Sequence, residues 1–292
     1  MKLLVPVDFT EITNPLLRVA KTIATAHQGE VYLLHSVPPA VYIPYPESFG
    51  MNVVDLELMA QLQKKRQEEA KEKLTALAQY LKPLRVELLV EVGDPAEATL
   101  EKEKLANLIL MGSHRKSLIE RILIGSTTEK VLKYTKKPLF ILKGKEPENF
   151  KKVVVCYDFS EHAQKALDFA LELLSPFKSH IILLHIEETI EIPMVENLKD
   201  LLSEHYRQEK LRLLDRLVEV IKEKGFEAQK VVFESASPSE GIKEYLKKTQ
   251  DVELVVMGSR GLSGLQRVLL GSTSSNLARS LDLPMLVHRS IE

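Results

Sequence analysis

The stretch Val255-Val256-Met257-Gly258-Ser259-Arg260-Gly261, followed by residues 262–270 and then Gly271-Ser272-Thr273, decides the fold. Val255 to Met257 is apolar without alternation, which predicts a strand buried on both faces. Gly258 and Gly261 remove side chains where a backbone turns sharply or approaches a ligand. Gly271 precedes two hydroxyl residues, Ser272 and Thr273, which are suited to cap a following helix and to bind an anion there. Strand, glycine turn, loop and glycine-opened helix together describe a polyphosphate cradle. Residues 108–128 repeat the pattern with Arg115 where Gly261 stands.

The repetition extends outward through the chain. Lys2 to Glu11 matches Lys152 to Glu161, and Val31 to His35 matches Ile181 to His185. Gly93 to Glu97 has its counterpart in Ala236 to Glu240, and Ile124 to Thr127 in Leu270 to Thr273. Asp158 follows Asp8 by 150 residues and Gly258 follows Gly112 by 146, so the first copy is slightly longer. Each copy alternates apolar strands with helical segments, which implies a parallel sheet covered on both faces. Five strands per copy with right-handed crossovers give a doubly wound α/β fold, duplicated. The domain bounds read as 1–145 and 150–292, with Gly144 to Asn149 as a short linker. A linker of this length predicts that the copies pack as an intramolecular pseudo-dimer.

Within the first copy, Asn14 and Pro15 read as N-cap and first position of a helix, Gly29 as its close, and Asp94-Pro95 as the start of the third helix. The long second helix runs from about Val53 to Leu81. Pro38 to Phe49 interrupts regular structure as a lid or plug. In the second copy Ser160 caps the first helix, Gly225 closes the second and Ser237-Pro238 opens the third.

Length and composition bound the rest. The 292 residues fit two domains. Apolar content of 45% and charged content of 28% describe a soluble globular chain rather than a disordered one. Apolar runs are of strand length, which excludes a transmembrane helix, and Asp8 arrives too early for a secretory leader. The single Cys156 excludes an internal disulfide and fits a reducing cytoplasm. Counted to Glu146 there are 21 basic and 18 acidic residues, and beyond it 19 and 23. Neither half is basic enough to make nucleic acid the main partner.

In an open parallel sheet a ligand binds at the C-terminal ends of the strands, near the reversal of strand order. That places Cys156-Tyr157-Asp158 beside Met257-Gly258. Asp158 suits ribose hydroxyls or a divalent cation, or else simply orients the following turn. Arg260 and Arg267 can add charge near phosphate or stay solvated. His35 and His185 read as satisfied half-buried histidines, and Cys156 as an inert small apolar residue. The lysine-bearing phosphate loop, the dinucleotide fingerprint, the nucleophile elbow and zinc spacings are all absent.

With these residues in place, the chain resembles the universal stress protein family in its tandem two-domain form, over essentially its whole length. ATP-binding members carry G-2x-G-9x-G-(S/T), which stands intact at Gly258, Gly261, Gly271 and Ser272. The resemblance implies that Asp158 lies near the ribose, that Cys156, Tyr157, Ile186 and Met257 line the adenine, and that Ser259, Arg260, Thr273 and Ser274 surround the phosphates. It implies a five-stranded parallel sheet of order 3-2-1-4-5 and pairing of fifth strands, Leu139–Leu142 with Pro284–His288, between domains or chains. ATP with Mg2+ or Mn2+ is the expected cofactor, and a homodimer or the internal pseudo-dimer the expected assembly. No membrane or nucleic-acid partner is expected.

Arg115 departs from the motif. It brings a side chain to where the backbone approaches phosphate, so the first site is expected to be lost or weakened; the alternative is that Arg115 pairs with an anion. With no placed base or nucleophile, hydrolysis is expected to be slow at most. The competing readings are a nucleotide-free dimerisation scaffold and a weak ATPase or nucleotidyl-transfer relative.

Overall fold

The computed structural model describes residues 1–40, 56–113, 125–189, 196–259 and 271–289. By contacts the chain divides into two units, Met1–Met111 and Gly112–Glu292.

The first unit alternates β1 (Lys2–Pro6), α1 (Thr13–Ala26), β2 (Glu30–Val37), α2 (Leu56–Leu81), β3 (Arg85–Val92), α3 (Pro95–Lys102) and β4 (Leu108–Gly112). Its strands run parallel in the order β3-β2-β1-β4. Leu3, Leu4 and Val5 are fully buried, as are Val31 and Leu33, because helices cover both faces of these strands.

Two expected helix ends fall differently. Asn14 does not cap α1: the helix starts at Thr13, the cap position is Ile12, and no side chain bonds there. Pro15 therefore sits third in the helix, where its missing N–H costs nothing. At the other end Gln28, not Gly29, takes the left-handed conformation, with φ of 48°. The amides of Gln28 and Gly29 bond Thr25 O and Ala24 O, closing a Schellman motif. Gly29 is glycine for another reason: a Cβ there would lie 2.0 Å from the Met1 carbonyl oxygen. Asp94 caps α3 as expected, its Oδ1 accepting from Glu97 N at 2.9 Å. The expected start of α2 near Val53, and most of the segment 38–49, lie outside the described residues.

The second unit holds α4 (Ser126–Tyr134), β5 (Leu139–Leu142), β6 (Lys152–Cys156), α5 (Glu161–Leu174), β7 (His180–Glu188), α6 (Glu196–Glu223), β8 (Glu227–Ser235), α7 (Pro238–Lys248), β9 (Leu254–Gly258), α8 (Ser272–Ser280) and β10 (Met285–His288). The second copy has strand order β8-β7-β6-β9-β10, parallel throughout, which is the expected 3-2-1-4-5. Next to β10 lies β5, antiparallel, with Leu286 opposite Phe140. The last strand of the first copy thus joins the sheet of the second, which is why the contact division falls after Met111 rather than at the linker. Ser160 and Ser237 cap α5 and α7 through Ala163 N and Glu240 N, and Gly225 takes φ of 91° beyond α6.

Candidate functional site

The site is built on the C-terminal ends of β6, β7 and β9 in the second unit. At the end of β6, Cys156 and Tyr157 are buried and Asp158 is half-buried. Tyr157 N donates to Leu184 O at 2.8 Å, extending the pairing with β7. Its hydroxyl donates to Gln164 Oε1 at 2.7 Å, and Gln164 Nε2 donates to Asp168 Oδ1, so α5 fixes the ring. Burial, then the Asp168 and Asp158 carboxylates, push the Tyr157 hydroxyl above its usual value. Burial, with Asp158 nearby, pushes the Cys156 thiol up to about 12. Cys156 is therefore a thiol at neutral pH and packs as a small apolar residue.

Asp158 Oδ1 accepts from Ser160 N at 3.1 Å, and Ser160 Oγ accepts from Ala163 N at 3.1 Å. The turn-orienting role is therefore real. Between them Phe159 adopts φ of 63°, and Phe9 in the first copy 59°, beside an Asp8 whose Oδ1 accepts from Thr10 N. A bulky residue rarely sits there. The signal was present as Asp-Phe-Ser/Thr in both copies, but only coordinates reveal the backbone. The Phe159 ring meets Tyr157 at 5.4 Å and His185 at 4.9 Å, both edge-on.

His185 is buried rather than half-buried, and it is only half satisfied. Nδ1 lies 2.9 Å from Tyr157 O, which makes it the protonated nitrogen. Among the described residues Nε2 has no partner. Burial lowers its pKa, opposed by the backbone bond to Tyr157. In the first copy His35 Nδ1 meets Val7 O at 2.7 Å. Ile186, one residue further along β7, is half-buried.

The end of β9 brings Met257, Gly258 and Ser259, all buried. Gly258 does not turn the chain through a left-handed conformation. A Cβ there would lie 2.7 Å from His162 C, 2.8 Å from His162 O and 3.0 Å from Ala163 N. Its glycine lets the first turn of α5 rest on the strand end. Ser259 O accepts from Gly271 N at 2.7 Å and from Ser274 Oγ at 3.0 Å. Arg260, Gly261 and Arg267 lie outside the described residues, as does Arg115 in the first copy.

Helix α8 opens without a side-chain cap. Gly271, not Ser272 or Thr273, occupies the cap position with ordinary extended angles, φ of −60° and ψ of 148°. Ser272 and Thr273 are the first two helical residues. Ser274 turns its hydroxyl back onto Ser259 O and Gly271 O. The same construction recurs at α4, where Gly125 is the uncapped start and Thr128 Oγ1 donates to Gly112 O at 3.1 Å. Among the described residues a Cβ on Gly125 would meet nothing within 4 Å. Neither backbone angle nor packing demands glycine at that cap position, where Ser, Thr or Asp would bond the helix amides. Among the described residues no cluster of three or more His, Cys, Asp or Glu side chains could hold a metal on its own. No described helix is long and apolar enough to cross a membrane.

Comparison with known proteins places this geometry in a family. The model of the universal stress protein family matches residues 1–143 and again 149–289. A universal stress protein of Mycolicibacterium smegmatis is 25% identical over 98% of this chain and 96% of its own length. One from Methanocaldococcus jannaschii is 31% identical over 49% of this chain and 95% of its own. The crystal structure of a universal stress protein from Archaeoglobus fulgidus covers 99% of this chain and 98% of its own at a TM-score of 0.73 and 24% identity, a likeness of fold.

Proposed function

The chain belongs to the universal stress protein family, and on that premise we propose that it is an ATP-binding stress-response or regulatory protein whose second copy holds the nucleotide. The observation that carries this is the uncapped start of α8. Side chains cap α3, α5 and α7, whereas at α8, as at α1 and α4, no described side chain does so, and the amides of Ser272, Thr273 and Ser274 are without a described side-chain acceptor; the intact Gly261 motif assigns the phosphates to α8 rather than α4. Backbone N–H groups at a helix start, with the helix dipole behind them, favour phosphate.

The remaining groups fit an adenine nucleotide. Cys156, Tyr157, Ile186 and Met257 offer an apolar slot for the base. Asp158 Oδ2 offers an acceptor to ribose hydroxyls or a ligand to a cation. A single carboxylate does not hold Mg2+ or Mn2+ unaided, but it completes a shell supplied mainly by phosphates and water. In this reading the motif residues Ser259, Arg260 and Gly261 serve the phosphates. The cation would polarise the phosphates and offset their charge. In this reading the chain's function is to bind the nucleotide, with hydrolysis slow at most, and the first copy, with Arg115, binds weakly or not at all.

Calorimetric titration with ATP, with and without Mg2+, tests the reading. One site per chain is expected, lost in Gly261→Arg and weakened in Asp158→Asn. Absence of binding with Mg2+ present, or unchanged affinity in Gly261→Arg, would sink it.

A further inference from the structure

Helix α8 is held at its far end by residues that belong to the first copy. Lys143 directly follows β5, is 1% exposed, and donates from Nζ to Ala278 O in the last turn of α8. The next residue, Gly144, has φ of 60°, and a Cβ there would lie 2.3 Å from Asp282 O. Only glycine lets the chain lie backbone to backbone against the segment that leaves α8.

The arrangement is reciprocal. Arg289 directly follows β10, is 4% exposed, and donates from Nη1 to Leu132 O in the last turn of α4 at 3.3 Å. Lys143 and Arg289 are 146 residues apart, and so are Leu132 and Ala278. The two contacts are therefore one contact made twice across the antiparallel β5–β10 pair. An ion pair between Glu129 of α4 and Arg279 of α8 ties the same two helices together. Buried cations are costly unless bonded, and a cation at a helix C-terminus is favoured by the dipole.

We propose that Lys143 is a positioning residue for the nucleotide site of the second copy: it fixes α8 from its C-terminal end and so aims the Ser272–Ser274 amides at the phosphates. The first copy is then retained as the support on which the second site depends, even where its own loop is degenerate. Arg289 does the same for α4 and has no part in the second site. The inference rests on the nucleotide reading given above.

Three variants of the full chain test it: Lys143→Met, Lys143→Arg and Arg289→Met. Methionine keeps the stem and removes the donor. Arginine already serves at the equivalent place, so it is expected to rescue. ATP affinity by calorimetry is expected to fall about fivefold to tenfold in Lys143→Met, a typical coupling between distant groups. It is expected to stay within twofold of the parent in Lys143→Arg and Arg289→Met. In nucleotide-free protein, amide hydrogen exchange is expected to quicken in α8 but not α4 for Lys143→Met, and the reverse for Arg289→Met. Unchanged ATP affinity in Lys143→Met, an equal loss in Arg289→Met, or exchange that responds alike in both helices would overturn the proposal. The exchange experiment decides the clamp without nucleotide, so a parent chain that bound no ATP would overturn the nucleotide reading alone.

Discussion

Gly258→Ala is the substitution whose outcome the coordinates fix most closely. The added Cβ would sit 2.7 Å from His162 C, 2.8 Å from His162 O and 3.0 Å from Ala163 N. Carbon atoms pack at about 3.5–4.0 Å, so roughly 1 Å must be found. It cannot come from a flexible side chain, because the three nearest atoms are all backbone. The α5 start is held by Ser160 through Ala163 N, and Ala163, Ala166 and Leu167 are buried against the sheet. Overpacking of this kind costs about 1–3 kcal/mol. For a chain of this size that lowers Tm by about 2–4 °C per kcal/mol. The displaced turn carries Ser160 and hence Asp158, so ATP affinity is expected to fall as well. Gly125→Ala is the control, since its Cβ meets no described atom within 4 Å and its φ of −62° suits any residue. Its stability is expected to stay within about 0.5 kcal/mol of the parent's. Thermal unfolding of both variants beside the parent is the assay. A Gly258→Ala protein with the parent's Tm would show that α5 does not rest on Gly258 as described.

Other outcomes follow from the same geometry. Asp158→Asn keeps an acceptor for Ser160 N but removes the charge, so unfolding stability should hold within about 1 kcal/mol while Mg2+-dependent ATP affinity drops in titration; an unchanged Mg2+ dependence would remove Asp158 from the cation's shell. Cys156 should resist iodoacetamide at pH 8 in the native protein and react on unfolding, read by mass; rapid native labelling would contradict its burial. His288 lies low, at about 4, through burial and then the Lys165 and His162 cations. The unfolded chain takes up that proton first, so stability should fall as pH drops from 6.5 through 4, by about 2 kcal/mol after allowance for partial exposure; His288→Leu should flatten this limb of a denaturation-against-pH curve. Lys143 is brought down to about 8 by burial, opposed by Asp282. Between pH 8 and 10.5 the unfolded chain holds more protons, so this group should raise stability with pH by up to about 3 kcal/mol, a rise absent from Lys143→Met.

The parts of the fold that were legible are those written in apolar runs and turn chemistry. Residues 108–111 and 255–257 read as buried strands because they carry no alternation. Asp94-Pro95 and Ser237-Pro238 read as helix starts because cap and first-turn proline stand side by side. Asn14-Pro15 misled by the same rule, since Ile12 gives the cap position and Pro15 falls deeper in the first turn. Ser272 and Thr273 misled in a more useful way. A hydroxyl residue after a glycine looks like a cap, yet here the glycine takes the cap position and leaves the amides without a side-chain acceptor. Gly258 had the correct identity for a reason other than the one expected. Its neighbour is the backbone of α5, about 100 residues earlier in the chain, and no local pattern encodes that contact.

The duplication carried more than the sheet order. An offset of 146 residues aligns Lys143 with Arg289 and Leu132 with Ala278, so both ends of the reciprocal contact were present in the sequence. The basic residues were visible at the close of both fifth strands. Their acceptors were not, because a backbone carbonyl looks the same at every residue. Burial supplies what the pattern lacks: a lysine 1% exposed and an arginine 4% exposed must each find an acceptor, and the nearest unsatisfied carbonyls are those at helix ends. Two copies joined through β5 and β10 bring each such cation to the end of the other copy's last helix. The start of that helix is where phosphate would bind, so under the proposed clamp a chain that has lost the motif glycine from one copy would still require both.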